Sequence, residues 1–585
     1  MNGAPLPTPI EVDLLLIFPP FQRLVVSMEN IGIEYIAASV RAHGFTCAMI
    51  NAGLHGLTVE DMVEIIGRCR FRVLGISTIH WTLPAAIKIA KAARKTHPDC
   101  HILFGGIEAA LDAERILLEY PFVDCVGLGE GERTVVSLLS ALSEARDWRD
   151  IEGIAYRKGE AICHTRRSGL IDPLDNLPFP ARDDMAAVLD AGGAVSMSSS
   201  RGCTGHCAFC SVRAFYGLSR GEFWRGRSPL SVVTEMQEIQ ERYGARLFSF
   251  IDETVVGPGK KGGDRLREIA DRIRESDMSC EFFMTVRADQ VEKTLFRDLK
   301  SAGLRKVEIG IESMAPSQLR RYGKIANTED NRRALILLED LGIAAELFMV
   351  PFDPGVTRAE METNLDFYGE RFKKRDGYDV SPLSMGNYLY PYPGTGTKTI
   401  YAQNGWLKGN HHASFRARDP EMQKVGEVLI RLVGAVEPAF PMSYLGLGNL
   451  WINSAGLSEP VYGRIHRMCG ELGELLVAVA RWALSVTPRP LPIPMEDIAG
   501  LIGDLRRSLA GFAQLRKELR GIVSASKNHG VKPQAFKIGN PFARELYALG
   551  QQRKLQITDE MQDREPDEYD IITAILDLLT EKAAT

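Results

Sequence analysis

The sequence alternates short apolar runs with amphipathic helical patterns twice over, a rhythm that confines the chain to parallel α/β architectures. In the first series the candidate strands are Val12–Phe18, Thr46–Ile50, Arg72–Ser77, His101–Phe104 and Val123–Gly127. Five such units predict a doubly wound parallel sheet, whose ligand site lies beyond the carboxyl ends of its strands where the strand order reverses. The loops at those ends are Pro19-Pro20, Asn51-Ala52-Gly53, Thr78-Ile79-His80-Trp81, Gly105-Gly106 and Gly129-Glu130-Gly131. Glycines there let backbone approach a ligand closely, although loops of this kind are glycine-rich in any such sheet. Residues Ile151–Arg167 read as a hairpin around Lys158-Gly159-Glu160, and the proline-stiffened run Leu174–Arg182 as a linker. A second series, Ala194 to Pro393, holds strands near Val195–Ser199, Leu247–Ile251, Glu281–Val286, Lys306–Ile311, Ala345–Val350 and Ser384–Tyr390. Six consecutive parallel units predict an incomplete barrel with its reactive end at the strands' carboxyl termini.

The first strand of that second series runs into Arg201-Gly202-Cys203-Thr204-Gly205-His206-Cys207-Ala208-Phe209-Cys210, three cysteines spaced C-x3-C-x2-C. Thiolates this close can converge on one metal centre, and three of them on a four-iron cluster leave one iron without a protein ligand. An open iron can hold a small chelating molecule and pass it an electron, which a closed structural zinc site does not offer. Two plainer readings fit the spacing as well: zinc with a distant fourth ligand, or a disulfide with a spare thiol. The setting favours the cluster, because the motif follows a strand, precedes a helix pattern and is succeeded by further strand–helix units.

A chain of 585 residues has ample capacity for buried cores, and a net charge of -5 carries no nucleic-acid footprint. A small-molecule partner is expected instead. Ten cysteines without an even pairing pattern, apart from the triad, argue for a reducing compartment. Met1–Pro9 lacks a basic region followed by an apolar core, and no apolar run reaches bilayer-spanning length. The expected location is therefore cytoplasmic.

The triad, with Phe209 before its third cysteine, resembles the radical S-adenosylmethionine (SAM) superfamily, and the first series resembles the cobalamin-binding domain that precedes many such domains. The second match rests on Pro19-Pro20, Gly75-Ile76-Ser77, Gly105-Gly106 and Gly129-Glu130-Gly131. The Asp-x-His-x-x-Gly signature of other cobalamin proteins is absent, and His55-Gly56 does not supply it. The resemblance implies an α/β chain with a cobalamin-binding Rossmann-like domain at 1–148, a hairpin and linker at 149–190, a partial (βα)6 radical SAM barrel at 191–400 and a mostly α-helical cap at 401–585. It implies a [4Fe-4S] cluster on Cys203, Cys207 and Cys210, and SAM bordered by Phe209, Asp252, Glu253, Arg287, Glu312 and Ser313. Carboxylates and an arginine suit that ligand, whose ammonium and hydroxyls need acceptors and whose carboxylate needs a counter-charge. It implies cobalamin against Ser77, Thr78, His80, Trp81, Gly105, Gly106, Gly129, Glu130 and Gly131, with the His80–Trp81 loop beneath the corrin.

The activity so implied is methylation of an unactivated carbon of a small molecule or natural product through a 5′-deoxyadenosyl radical and methylcobalamin, with a flavodoxin- or ferredoxin-type electron donor. Cyclisation or rearrangement with the same cofactors is the alternative, and a cluster-bearing sensor without turnover is the reading from another class. A methylthiotransferase would need three more cluster cysteines, but Cys47, Cys69, Cys100 and Cys125 lie away from the ligand-facing loops and read as inert buried thiols. In the C-terminal region, helix patterns cover Glu421–Gly434, Val461–Val486, Met495–Val523 and Asp567–Glu581, broken at Pro488–Pro494. Trp406, Tyr444, Trp451 and Trp482 there are candidates for a pocket, against the commoner role of helical-core aromatics.

Overall fold

A computed structural model describes residues 6–21, 28–190, 193–374, 380–407, 416–436, 459–486, 507 and 541–549. Apart from Arg507, the patterns at Met495–Val523 and Asp567–Glu581, with Tyr444 and Trp451, lie outside the described residues. The chain divides into two compact units: residues 1–204, 210–282 and 535–563, and residues 205–209, 283–534 and 564–585.

In the first unit, strands β1 (Glu11–Phe18), β2 (Cys47–Asn51), β3 (Arg70–Ser77), β4 (His101–Gly105), β5 (Cys125–Gly127), β6 (Ile154–Lys158) and β7 (Ala161–His164) form one sheet in the order β2-β1-β3-β4-β5-β6-β7. The first five are parallel, and the hairpin β6–β7 extends the sheet antiparallel. Leu14–Phe18 is buried throughout, as expected for a parallel strand covered on both faces. Alternate side chains serve the two cores: Leu15, Ile17, Leu74 and Ile76 pack on one side, and Leu14, Leu16, Val73 and Leu103 on the other. The covering helices start where side chains satisfy their first amides. Asn30 accepts from the Ile33 amide to open Ile31–Ala42, and Thr58 with Asp61 forms a capping box for Val59–Arg68. The order reverses between β1 and β3, which puts the switch point at the loops after Phe18 and Ser77.

A result the sequence did not suggest is that residues 541–549 are helical and return to this unit. Phe542, Leu546 and Leu549 join the core beside Met62, Ile65 and Ile66. The Thr8 hydroxyl reaches the Glu545 carboxylate at 3.1 Å.

The second series yields β8 (Val195–Met197), the short antiparallel pair β9 (Ser200–Arg201) and β10 (Arg225–Gly226), β11 (Leu247–Phe250), β12 (Glu281–Arg287), β13 (Leu304–Glu312) and β14 (Ala344–Met349). The sheet order is β14-β13-β12-β11-β8, and β8–β11 and β13–β14 are parallel. Helices Pro229–Tyr243, Gly259–Glu275, Lys293–Ser301, Thr328–Leu341 and Arg358–Phe372 alternate with these strands. The sixth expected strand, Ser384–Tyr390, forms no ladder among the described residues. Its first half belongs to a 3-10 turn, Pro382–Gly386, started by the Ser381 side chain, and only single bridges, Phe352 to Tyr388 and Leu347 to Val380, continue the sheet. Proline at Pro382, Pro391 and Pro393 withholds amides that a ladder would need.

In the second unit, helices Pro420–Val436 and Glu459–Val486 bear out the helical C-terminal pattern where it is described. Gly470 and Gly473 let the longer helix pass close to Phe372, whose ring stacks on Tyr368 at 5.7 Å. No described helix is long and apolar enough to cross a membrane.

Candidate active site: the cysteine loop and the switch-point loops

The cysteine loop leaves β9 through Gly202, which has φ +87° and would drive a Cβ into the Phe223 carbonyl. Only glycine fits there. The Gly202 amide donates to Glu253 Oε2 at 2.8 Å, and the Tyr216 hydroxyl donates to Glu253 Oε1 at 3.1 Å. Burial pushes the Glu253 carboxyl up, opposed by these hydrogen bonds. Its neighbour Asp252 is turned fully inward. It accepts from the Ser199 amide at 3.1 Å, the Ser199 hydroxyl at 2.9 Å and the Ser200 hydroxyl. Of the two expected carboxylates, Glu253 is the one set against the cysteine loop, and Asp252 fixes the strand that feeds it.

Farther along the loop, the Ala208 amide donates to the Tyr322 carbonyl at 2.9 Å, and the Ala208 carbonyl accepts from the Thr397 amide at 3.0 Å. Phe209 meets Tyr322 edge to face at 5.7 Å, in a small cluster with Leu389 and Tyr401. Trp406 packs against the same cluster. Cys203, Cys207 and Cys210 are half-buried, and all ten cysteines are outside disulfides. No three His, Cys, Asp or Glu side chains among the described residues converge on a single ion. Thiolates that each take a different iron of one cluster need no such convergence, so the donor set still fits the cluster.

Lys324, within electrostatic reach of the Cys207 sulfur, connects the cysteine loop to a residue with strained backbone. Glu312 ends β13 at φ +63°, one of two non-glycine residues with positive φ among those described, just after a register shift between Gly310 and Glu312. Strain of this kind persists where surroundings over-determine it and concentrates at functional sites. Lys324 Nζ bonds Glu312 Oε1 at 3.2 Å and the Gly310 carbonyl at 3.1 Å. Burial alone would depress this ammonium, but Glu312 and the Cys207 sulfur hold its pKa above the ordinary value. A cation so placed favours the thiolate, the form that ligates metal. Arg287 is held by Asp289 at 2.7 Å. Ser313 departs from expectation: it is fully buried, with its hydroxyl 2.6 Å from Gln318 Oε1 and 3.0 Å from Asn364 Oδ1. Its oxygen also accepts from the Ala315 amide at 2.9 Å, at the turn into Pro316–Arg321.

At the switch point, Gly106 has φ +83°, and a Cβ there would run into the Thr78 backbone, whereas Gly105 opens onto empty space. Ser77 is half-buried beside them. Thr78 is buried, donating to the Gly105 carbonyl at 3.0 Å and accepting from the Ala109 amide at 3.1 Å, so it ties β3 to β4. His80 Nδ1 stands 3.6 Å from Glu108 Oε1, and Trp81 is 59% exposed. Open space beside Gly105, a buried Glu108 oxygen without a hydrogen bond and an exposed indole fit a large, flat ligand here. Glu130, between Gly129 and Gly131, instead faces inward. Arg225 pairs with both its oxygens at 2.9 and 3.0 Å, Arg201 bonds it at 3.0 Å, and the Ile171 amide donates at 2.7 Å. Burial would raise this carboxyl, but Arg201 and Arg225 hold it below the usual range. Arg201 also pairs with Glu132 at 2.6 Å and lies over the Tyr35 ring.

Comparison with known proteins identifies both regions. Residues 23–139 match the B12 binding domain, and residues 197–368 match the radical SAM superfamily. This chain is a radical SAM enzyme with a B12 binding domain. It is 26% identical to an uncharacterized methyltransferase of Pyrococcus horikoshii, over 70% of this chain and 88% of that protein. It is also 26% identical to the anaerobic magnesium-protoporphyrin IX monomethyl ester cyclase of Synechocystis sp., over 54% of this chain and 62% of the cyclase. The fold is that of the cobalamin-dependent SAM radical enzyme OxsB with aqua-cobalamin and SAM bound: TM-score 0.67, 15% identity, 93% of this chain and 84% of OxsB. The radical SAM methyltransferase TsrM of Kitasatospora setae shares it at TM-score 0.56 and 16% identity, over 69% of this chain and 79% of TsrM.

Within the radical SAM domain the sequence reading missed Lys324, Tyr216 and Arg225. In the B12 binding domain it missed Glu108, although a carboxylate in the first turn after Gly105-Gly106 is visible in the sequence. Cys47, Cys69, Cys100 and Cys125 are buried, and burial raises the pKa of each, which keeps them as thiols.

Proposed function

We propose that this radical SAM enzyme methylates an unactivated carbon of a small-molecule substrate, using cobalamin, SAM and a [4Fe-4S] cluster. The observation that carries the reading is the pairing, on one chain, of a glycine-bared switch point in a B12 binding domain with a cysteine loop set beside the strained Glu312. When bound there, the cluster with SAM would supply hydrogen abstraction from carbon and cobalamin would supply the methyl group. The chain's own part is to hold and orient. Cys203, Cys207 and Cys210 take one iron each. Glu312, steadied by Lys324, meets the ammonium or hydroxyls of SAM, while Arg287, aimed by Asp289, meets its carboxylate. Phe209, seated on Tyr322, keeps water from the cluster.

The likeness to the Synechocystis cyclase favours ring formation as the second reading. A flavodoxin- or ferredoxin-type donor would supply electrons in the cytoplasm, where thiols stay reduced.

The test is anaerobic reconstitution, counting iron and cobalt per chain, then turnover with methyl-labelled SAM. Methyl transfer to product supports the proposal, and 5′-deoxyadenosine with an unmethylated, cyclised product moves the reading to the cyclase. Deoxyadenosine formation that survives Cys207→Ala would sink the cluster assignment.

A further inference from the structure

Glu108 sits one turn into the helix Gly106–Leu111 that follows β4, with 2% of its surface exposed, and its Oε1 has no hydrogen-bond partner. A buried carboxylate oxygen without a donor is costly and calls for a partner. The group facing it is His80, in the loop after β3, 3.6 Å away through Nδ1 and with 13% of its side chain exposed. His80 is braced edge to face by Trp81, ring centroids 4.9 Å apart. The loop belongs to the switch point between β1 and β3, where a doubly wound sheet binds its ligand. Gly105, which leaves open space beside its backbone, and Gly106, which lets the Thr78 backbone pack close, directly precede the turn carrying Glu108.

A histidine that ligates a metal almost always gives its other ring N–H to a carboxylate or carbonyl, which fixes its tautomer and aims the ligating nitrogen. The His80–Glu108 pair is arranged for that donation, with Nδ1 3.6 Å from the buried carboxylate oxygen, a charge contact just beyond hydrogen-bond distance, which leaves Nε2 as the ligating nitrogen. We infer that His80 Nε2 is the protein ligand to the cobalt of bound cobalamin, that Glu108 is its positioning residue, and that Trp81 covers the metal face beside it. The inference rests on the cobalamin reading above. It differs from the Asp-x-His-x-x-Gly arrangement in taking its histidine from the loop after β3 and its carboxylate from the helix after β4.

The test uses the full chain loaded with cob(II)alamin and read by electron paramagnetic resonance, without turnover. Nitrogen coordination splits the cobalt lines into triplets, which become doublets in protein grown on 15N-histidine. Collapse to doublets in the wild type, with loss of the splitting in His80→Ala at unchanged cobalt per chain, is the expected result. Glu108→Gln should keep cobalt bound while lowering the nitrogen-coupled fraction of the signal. Triplets indifferent to 15N-histidine mean that the cofactor's own base is the ligand, and absent splitting means that Trp81 covers the face without a protein ligand. Doublets that persist in His80→Ala assign another histidine. Each of these overturns the inference and leaves the cobalamin reading standing, whereas a chain that takes up no cobalt defeats both.

Discussion

Glu130→Gln tests what holds the stem of the cysteine loop. The glutamine keeps the shape and removes the charge, leaving Arg225, with 2% of its side chain exposed, and Arg201, with 13%, without the carboxylate that now bonds both. Removing one partner of a buried ion pair costs about 3–5 kcal/mol, because the remaining charge stays out of water. For a domain of this size about 2 °C is lost per kcal/mol, so the melting transition of the apoprotein should fall by about 6–10 °C. Arg201 keeps Glu132, which places the expectation toward the lower end. The pH dependence follows from the depressed Glu130 carboxyl: its contribution is fully present above the ordinary carboxylate pKa and disappears as pH falls through the lower folded value. The gap between wild type and variant should therefore be constant from neutral pH down to about pH 5 and close in stronger acid. Scanning calorimetry without cofactors reads both quantities. A shift under about 2 °C, together with weakened cobalamin binding, would refute the structural role and return Glu130 to the ligand-contacting set.

Gly202→Ala forces a Cβ into the Phe223 carbonyl at a backbone angle alanine disfavours by about 1–2 kcal/mol, so iron bound per chain should drop after reconstitution while cobalt uptake persists. Gly106→Ala meets the same two obstacles against Thr78 and should give the mirror result, cobalt lost and iron retained. His101, buried beside Trp148 and Cys125, has its pKa lowered by burial from 6.5 to about 4, so below pH 6.5 the unfolded chain takes up a proton that the folded chain refuses. Stability should fall by about 2 kcal/mol between pH 7 and pH 5, and a His101→Gln variant should flatten that slope in denaturant titrations.

The strands were legible because a run such as Leu14–Phe18 is buried on both sheet faces and therefore must be apolar throughout. The cysteine spacing was legible because metal ligation tolerates few alternatives. Which strand-end polar groups face a ligand was not, and the reason is local backbone. Counting by alternation cannot separate Glu312 from Ser313, since the register shift after Gly310 and the positive φ at Glu312 break the alternation at that step. Asp252 and Glu253 diverge because Ser199 and Ser200, 53 and 52 residues before Asp252, supply three donors to the first and none to the second. Lys324 escaped notice for a related reason: it lies twelve residues beyond Glu312, past the helix Pro316–Arg321, and the turn at Gly323 brings it back to the Glu312 carboxylate. In each case the sequence displays a charge while the fold chooses its counter-charge. The contrast that underlies the cobalt-ligand proposal has this origin: Glu130 is satisfied by Arg201, Arg225 and a backbone amide, whereas Glu108 keeps an oxygen without a hydrogen bond facing His80.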